Sequence, residues 1–330
     1  MTRFLSLLRF AVLVVAAAPS QSFSGTFTCC RPLTTTRIQR KKATTTTTTT
    51  CTCASVSAST PDNVQIVTGM PEPLPNPLKH QYYLLRHGQS TANVAAIISS
   101  DRSNAYSERH GLTQLGREQA AAAATALVES LEAQATVTNN KNSNSDKNLQ
   151  PGDKLTFVSS PFARAKQTAE ECLEELLAND ELLKRIDKLG LTLDTPSSND
   201  IILKDQLMER YFGRLDNEAI YTYAYVWPLD KFNVTHTAFG VESVAAVCTR
   251  LRQLIVNDLE ESLAGKRHHV VLTSHADVLQ IAQLYACGAE NVGAFSSYRF
   301  GNGEVRHMAR YPDSLPDPVP LQAPKRGTQV

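Results

Sequence analysis

The spacing of apolar positions divides the chain into short buried strands alternating with longer helical stretches. Gln81-Tyr-Tyr-Leu-Leu85 is an apolar and aromatic run ending at Gly88, the pattern of a buried strand entering a tight loop. Leu155-Thr-Phe-Val-Ser159, Ile201-Ile-Leu203 and His269-Val-Val-Leu-Thr-Ser274 read as three more strands. The alanine-rich stretch Leu115–Ala133, with Thr113 as N-cap, predicts a helix, and a second starts after Pro161 and covers Arg164–Leu177. From Val241 to Leu263 the residues Val244, Val247, Leu251, Leu254, Ile255 and Leu259 recur at helical spacing, which predicts a long amphipathic helix. A last helix is expected over Asp277–Ala286. Strands that alternate with helices imply an α/β fold whose central sheet is mainly parallel.

Less regular segments mark the boundaries. The alternate prolines of Pro71-Glu-Pro-Leu-Pro-Asn-Pro77 forbid a helix and predict an extended lead-in, so residues 62–80 read as a linker into a catalytic domain over 81–311. Residues 139–152 are polar and of low complexity, a surface insertion. From Pro312 the chain carries five prolines by Pro324, and 312–330 is expected to be a disordered tail.

Apolar residues make up 42% of the chain, enough for a real core. The formal charge of +1 excludes a polybasic nucleic-acid binder. That figure averages two unlike regions. Residues 1–61 hold seven bases and no acid, so residues 62–330 carry 26 bases against 32 acids, net −6. In the leader, Arg3 and Arg9 flank the start of the apolar run Phe10–Ala18, which is too short for a membrane span of about 20 residues. Residues 1–22 therefore read as a cleavable secretory signal, with no stable membrane span after its removal. Residues 23–61 are rich in Ser and Thr, including the run Thr44–Thr50, and read as a transit-like segment. The combination resembles the bipartite plastid presequence of diatoms and related algae, which implies a plastid destination; secretion with a mucin-like stalk is the alternative. Cys29, Cys30, Cys51 and Cys53 fall in the leader, leaving Cys172, Cys248 and Cys287, too scattered for a disulfide framework or a zinc site.

In open α/β sheets, sites form at the carboxyl ends of the strands. Three strands end there in unusual polar residues: Arg86-His-Gly-Gln-Ser-Thr-Ala-Asn93, Ser159-Ser-Pro-Phe-Ala-Arg164 and Ser274-His-Ala-Asp277. Two guanidinium groups can hold a dianionic phosphate bidentately. An imidazole, with an unperturbed pKa of about 6.5, is a nucleophile near neutrality when it is held unprotonated.

These segments resemble the histidine phosphatase superfamily, and the match does not rest on Arg86-His87-Gly88 alone. Gly111-Leu-Thr with Gly116 and Gln119 is similar to the helix-entry segment of that family. Ser159-Ser-Pro-x-x-Arg164-Ala-x-Gln167-Thr168 is similar to its second arginine motif, Leu207-x-Glu209-Arg210-x-Phe212-Gly213 to the segment bearing the general acid, and Ser274-His275 to the second histidine motif. Five motifs in the family's order span most of the body. The resemblance implies a phosphoglycerate mutase-like fold, three layers α/β/α. It implies that His87 becomes a transient phosphohistidine, that Arg86, Arg164 and His275 bind the phosphoryl oxygens with help from Asn93 and Arg210, and that Gly88 lets the backbone approach the phosphate. Glu209 is implied as general acid and base, with Asp205, Asp216 and Glu218 as nearby alternatives. The scheme needs no metal or other cofactor. His110 is expected in a loop, His268 and His269 at the surface or in packing, and Trp227 in the core or a lid.

Residues 214–231 are rich in tyrosine and hold only two bases, Arg214 and Lys231. A mutase must retain a second phosphorylated intermediate, which favours extra cations, so hydrolysis of a phosphorylated small molecule is expected. A phosphoglycerate mutase-type transferase, a phosphoprotein substrate and a weakly active phospho-partner-binding protein remain as alternatives.

Overall fold

Side chains of a strand alternate between its two faces, and here that alternation builds two cores. In the computed structural model the described residues are 69–139, 151–194, 197, 200–263 and 265–320. The expected signal and transit segments, most of the polar insertion and the last ten residues lie outside them. From β1 (Gln81–Arg86), Tyr82 and Leu84 enter one core and Tyr83 and Leu85 the other. From β2 (Lys154–Ser159), Val158 joins the first core, and Leu155 and Phe157 join the second.

Helix α1 (Thr91–Val94) is a single turn after β1, whereas α2 (Gln114–Asn139), α3 (Ala163–Ala178) and α4 (Asp180–Lys188) are longer. These three longer helices cover the second core through Ala124, Leu127, Leu131, Leu173 and Leu182. After β3 (Thr192–Leu193), β4 (Ile202–Leu203) and a short α5 (Trp227–Phe232), the chain enters α6 (Val244–Arg252). The expected long helix is a composite: α6, a π-helical stretch Gln253–Leu259 and α7 (Glu260–Ser262). It packs on the first core beside α8 (Ala276–Ala286), which follows β5 (His268–Ser274). The result is the expected three-layer α/β/α arrangement.

The sheet runs β3-β2-β5-β1-β6, with β4 on the far end of β2. All pairings are parallel except that of β6 (Val305–His307), an antiparallel edge on β1. The register sets Arg86 beside Ser274 and Ser159 beside Thr273, so three strands end level with one another. Sequence pattern missed β6, which is three half-buried residues without a clear alternation, and α4, whose N-cap Asn179 accepts from the backbone N–H of Glu181 and Leu182 at 3.1 and 3.3 Å.

Two boundary expectations need correction. Residues 69–80 are extended but do not stand off as a linker: Leu74 and His80 are buried, and the Tyr285 hydroxyl donates to the Glu72 carbonyl. The start of the expected tail is also packed. Leu315 lies against the first core, and the Val319 N–H donates to the Ser297 carbonyl at 2.8 Å. Among the described residues no helix is long and apolar enough to cross a membrane.

Candidate functional site

The level strand ends place the expected motifs side by side. His87 leaves β1 with its N–H donating to the Ser274 carbonyl at 3.0 Å, and Ser160 leaves β2 with its N–H on the Thr273 carbonyl at 2.9 Å. The His87 side chain is buried, with Nδ1 2.7 Å from the Gly88 carbonyl oxygen. A carbonyl only accepts, so Nδ1 carries the proton and Nε2 keeps its lone pair. Burial, reinforced by Arg164 and Arg86, holds the imidazole pKa well below its usual value, which keeps it neutral.

Gly88 has a packing requirement that the sequence did not show. A Cβ there would sit 2.2 Å from the Gly116 carbonyl oxygen, and a Cβ on Gly116 would sit 2.1 Å from that of Gln89. The glycines let the first turn of α2 press against the loop that carries His87; the geometry requires them for this crossing. The loop is tied further by the Gly88 N–H donating to Thr168 Oγ1 at 3.0 Å, whose own proton goes to the Arg164 carbonyl at 2.6 Å.

His275, at the N-terminus of α8, is buried, with ring centroids 5.2 Å from His87. Its Nε2 is 3.0 Å from Ser160 Oγ, while its buried Nδ1 has no hydrogen-bond partner and faces Glu209 Oε2 at 3.7 Å. Arg164, in the first turn of α3, is buried over the Phe162 ring and donates to the Ser99 carbonyl at 2.8 Å. Arg86 donates through one terminal nitrogen to the Phe300 carbonyl at 2.5 Å, and its buried Nε has no partner. Two buried nitrogens, the Arg86 Nε donor and the His275 Nδ1, thus lack hydrogen-bond partners in one cluster. Such groups are costly to leave unmet, so the arrangement suits an anion.

Glu209 completes the cluster. Its Oε2 is 3.8 Å from Arg164, and its Oε1 accepts from the Arg210 N–H at 2.9 Å. Burial raises its pKa to about 7 against the opposing pull of Arg164, with Asp277 adding to the rise. The alternative carboxylates are occupied elsewhere. Asp205 accepts from the Tyr106 hydroxyl at 2.6 Å, Asp216 Oδ1 accepts from the N–H groups of Ser100 and Asp101, and Glu218 is exposed.

Arg210 does not face the cluster, contrary to expectation. It is fully buried, with its terminal nitrogens on Asp230 at 2.7 and 2.6 Å and Nε on the Glu242 carbonyl at 2.7 Å. All three of its nitrogens are engaged by protein groups; it joins the segment after Glu209 to α5 and to the residues before α6. Asn93 uses Oδ1 to accept from the Ser90 N–H and hydroxyl and from Asn302 Nδ2, which turns its donor end outward from that capping turn. His110 lies in a loop with φ 58° and its Nδ1 2.7 Å from Ser99 Oγ. His268 and His269 are buried in packing at the opposite end of β5.

Sequence reasoning did not single out Tyr223. It lies in a 3-10 stretch, Ile220–Tyr225, stacked on Trp227 with ring centroids 4.7 Å apart and planes at 7°. Trp227 in turn donates through Nε1 to Asp277 Oδ2 at 3.2 Å, two residues from His275. The density of tyrosines between Tyr221 and Tyr225 was the available signal. Among the described residues no group of three or more His, Cys, Asp or Glu is placed to hold a metal ion.

Solved structures similar to the chain include a mycobacterial glucosyl-3-phosphoglycerate phosphatase complexed with VO3, at 20% identity and TM-score 0.44 over 68% of this chain and 90% of that one. A mycobacterial hydrolase is 22% identical, with TM-score 0.44 over 68% of this chain and 87% of its own. A Thermus thermophilus protein is 19% identical, with TM-score 0.40 over 73% and 99%. No curated protein matches the chain. The model of the histidine phosphatase superfamily (branch 1) matches residues 146–315, more than half of the sequence, a span that holds Arg164, Glu209 and His275 and begins after His87. With that match, the chain belongs to the histidine phosphatase superfamily, branch 1.

Proposed function

We propose that the protein hydrolyses phosphomonoesters of small molecules through a phosphohistidine on His87. The observation that carries this reading is the contact of His87 Nδ1 with the Gly88 carbonyl: it holds the Nδ1–H, so Nε2 presents a lone pair in a cluster with the unpaired donor Arg86 Nε and the unpartnered His275 Nδ1. In the first step Nε2 forms a bond to phosphorus as the ester P–O bond breaks, and Glu209 gives its proton to the departing alkoxide. In the second, a water oxygen bonds to phosphorus as the N–P bond breaks, and Glu209 takes the water's proton. Arg86, Arg164 and His275 offset charge on the phosphoryl oxygens, each such donor contributing on the order of 3 kcal/mol at the transition state. A carboxyl with a pKa of about 7 suits both proton transfers near neutrality.

Hydrolysis rather than transfer between substrates is supported by the 214–231 segment, whose two bases, Arg214 and Lys231, are both exposed. Brief mixing with a radiolabelled phosphomonoester and acid-free quenching is expected to trap label on the protein that is lost in acid. The His87→Ala variant should show neither label nor turnover. Turnover by His87→Ala within tenfold of wild type overturns the assignment.

A further inference from the structure

The aromatic segment before α5 holds one polar group that the mechanism above leaves unused. The Tyr223 ring is clamped on both sides: Trp227 stacks on it at 4.7 Å, and Phe212 meets it edge-on at 4.9 Å and 68°. Both clamps are themselves anchored. Trp227 is held by Asp277 through its indole N–H, and Phe212 is fully buried, its N–H donating to Ser100 Oγ at 3.0 Å. A half-buried ring fixed in this way has little freedom to turn, and its hydroxyl has no hydrogen-bond partner among the described residues. The clamps place the ring. Phe212 follows Glu209 by three residues, and Asp277 follows His275 by two, so the ring sits between the two segments that build the catalytic cluster.

We propose that Tyr223 is a substrate-contacting residue whose hydroxyl donates a hydrogen bond to the phosphoryl group held at His87. The inference rests on the phosphatase reading. The electrostatics agree with this position. Tyr223 lies close enough to Arg86, Arg164 and Glu209 to influence the titration of each arginine and to be influenced by the carboxylate. Burial and the Glu209 carboxylate push the phenol pKa well above 10, so at neutral pH it is a donor and not an anion. A neutral donor at this point adds a hydrogen bond to a phosphoryl oxygen without raising the net positive charge.

The test is Tyr223→Phe, which keeps the clamped ring and removes only the oxygen. Steady-state kinetics with p-nitrophenyl phosphate and with β-glycerophosphate, inhibition by orthovanadate and a thermal melt would be measured on the full chain. A phosphoryl contact is indifferent to the leaving group, so kcat should fall on both esters by a similar factor, about 100-fold. Orthovanadate inhibition should weaken, with the melting temperature unchanged. Wild type that turns over and binds vanadate, matched within twofold by Tyr223→Phe, overturns the assignment alone. A loss confined to β-glycerophosphate also overturns it, since that places the hydroxyl on the leaving group. Wild type that neither turns over nor binds vanadate overturns the phosphatase reading and this assignment with it. Should Tyr223→Phe melt early, the urea-folded fraction at low temperature is assayed, and unchanged vanadate inhibition there still overturns the proposal.

Discussion

Replacing Arg210 by methionine removes a buried charge that three segments share. The guanidinium bonds Asp230 through both terminal nitrogens, at 2.7 and 2.6 Å, and the Glu242 carbonyl through Nε, and it lies 3.5 Å from Asp277 Oδ2. Methionine fills much of the volume but leaves the fully buried Asp230 carboxylate facing only His236 Nε2 at 2.7 Å, and Asp277 facing only the Trp227 indole. Breaking a buried pair in this way costs about 3–5 kcal/mol, because one charge is left uncompensated. For a domain of this size each kcal/mol moves the melting temperature by about 2–4 °C, so a loss on the order of 10 °C is expected. The single tryptophan, Trp227, hydrogen-bonded to this network, provides an intrinsic fluorescence probe for urea and thermal unfolding. A compensating double variant, Arg210→Met with Asp230→Leu, should recover part of the loss, since it removes the orphaned charge together with its partner. If Arg210→Met melts within about 2 °C of wild type while KM for a phosphomonoester rises tenfold or more, the residue binds substrate and the structural reasoning fails.

Two further outcomes follow from the titratable groups. Glu209 must be protonated to serve as the acid, and its pKa is raised to about 7, so kcat/KM for alkyl phosphates should fall above that pH. The Glu209→Gln variant should lack this alkaline limb and lose most activity on alkyl phosphates while retaining more on p-nitrophenyl phosphate; an unchanged limb in Glu209→Gln would assign it to another group. At the far end of the sheet, burial holds His80 and His269 at about 4, against the usual 6.5, despite the carboxylates of Glu260 beside the first and Asp153 beside the second. Above pH 6.5 both are neutral whether the chain is folded or not. As the pH falls below that, the unfolded chain takes up protons that the fold excludes, and stability is lost until about pH 4, by up to about 3 kcal/mol for each histidine. The urea midpoint should therefore drop steeply between pH 7 and pH 5; a flat profile would show that these histidines are not excluded from protonation.

How much of this was legible beforehand differs from element to element. The strands β1, β2 and β5 were readable because each is a compact apolar run that stops in turn-forming or polar residues, α2 because it is alanine-rich behind Thr113, and α3 because it follows Pro161. The three-residue edge β6 was not readable: pairing with β1 alone defines it, and nothing in Val305-Arg-His307 marks a strand. The same limit applies at the site. Arg86, His87, Arg164, Glu209 and His275 stand out because each sits at the end of an element in a recognisable motif, and the parallel register brings those ends level. Arg210 shares a motif with Glu209, yet it points away into the core, because adjacent side chains leave an extended segment on opposite sides.

The order of strands and helices, the acid-free leader and the chemical types at the strand ends are properties of the chain read along its length, where composition and local period suffice. Partnership is not local. That Gly88 answers to Gly116, that Arg210 is neutralised by Asp230, and that Tyr223 is clamped between Phe212 and Trp227 with its hydroxyl unpaired depend on residues far apart in sequence or on their orientation in the folded state. Burial energies and pKa values follow from such neighbours, so only the tertiary structure could decide them.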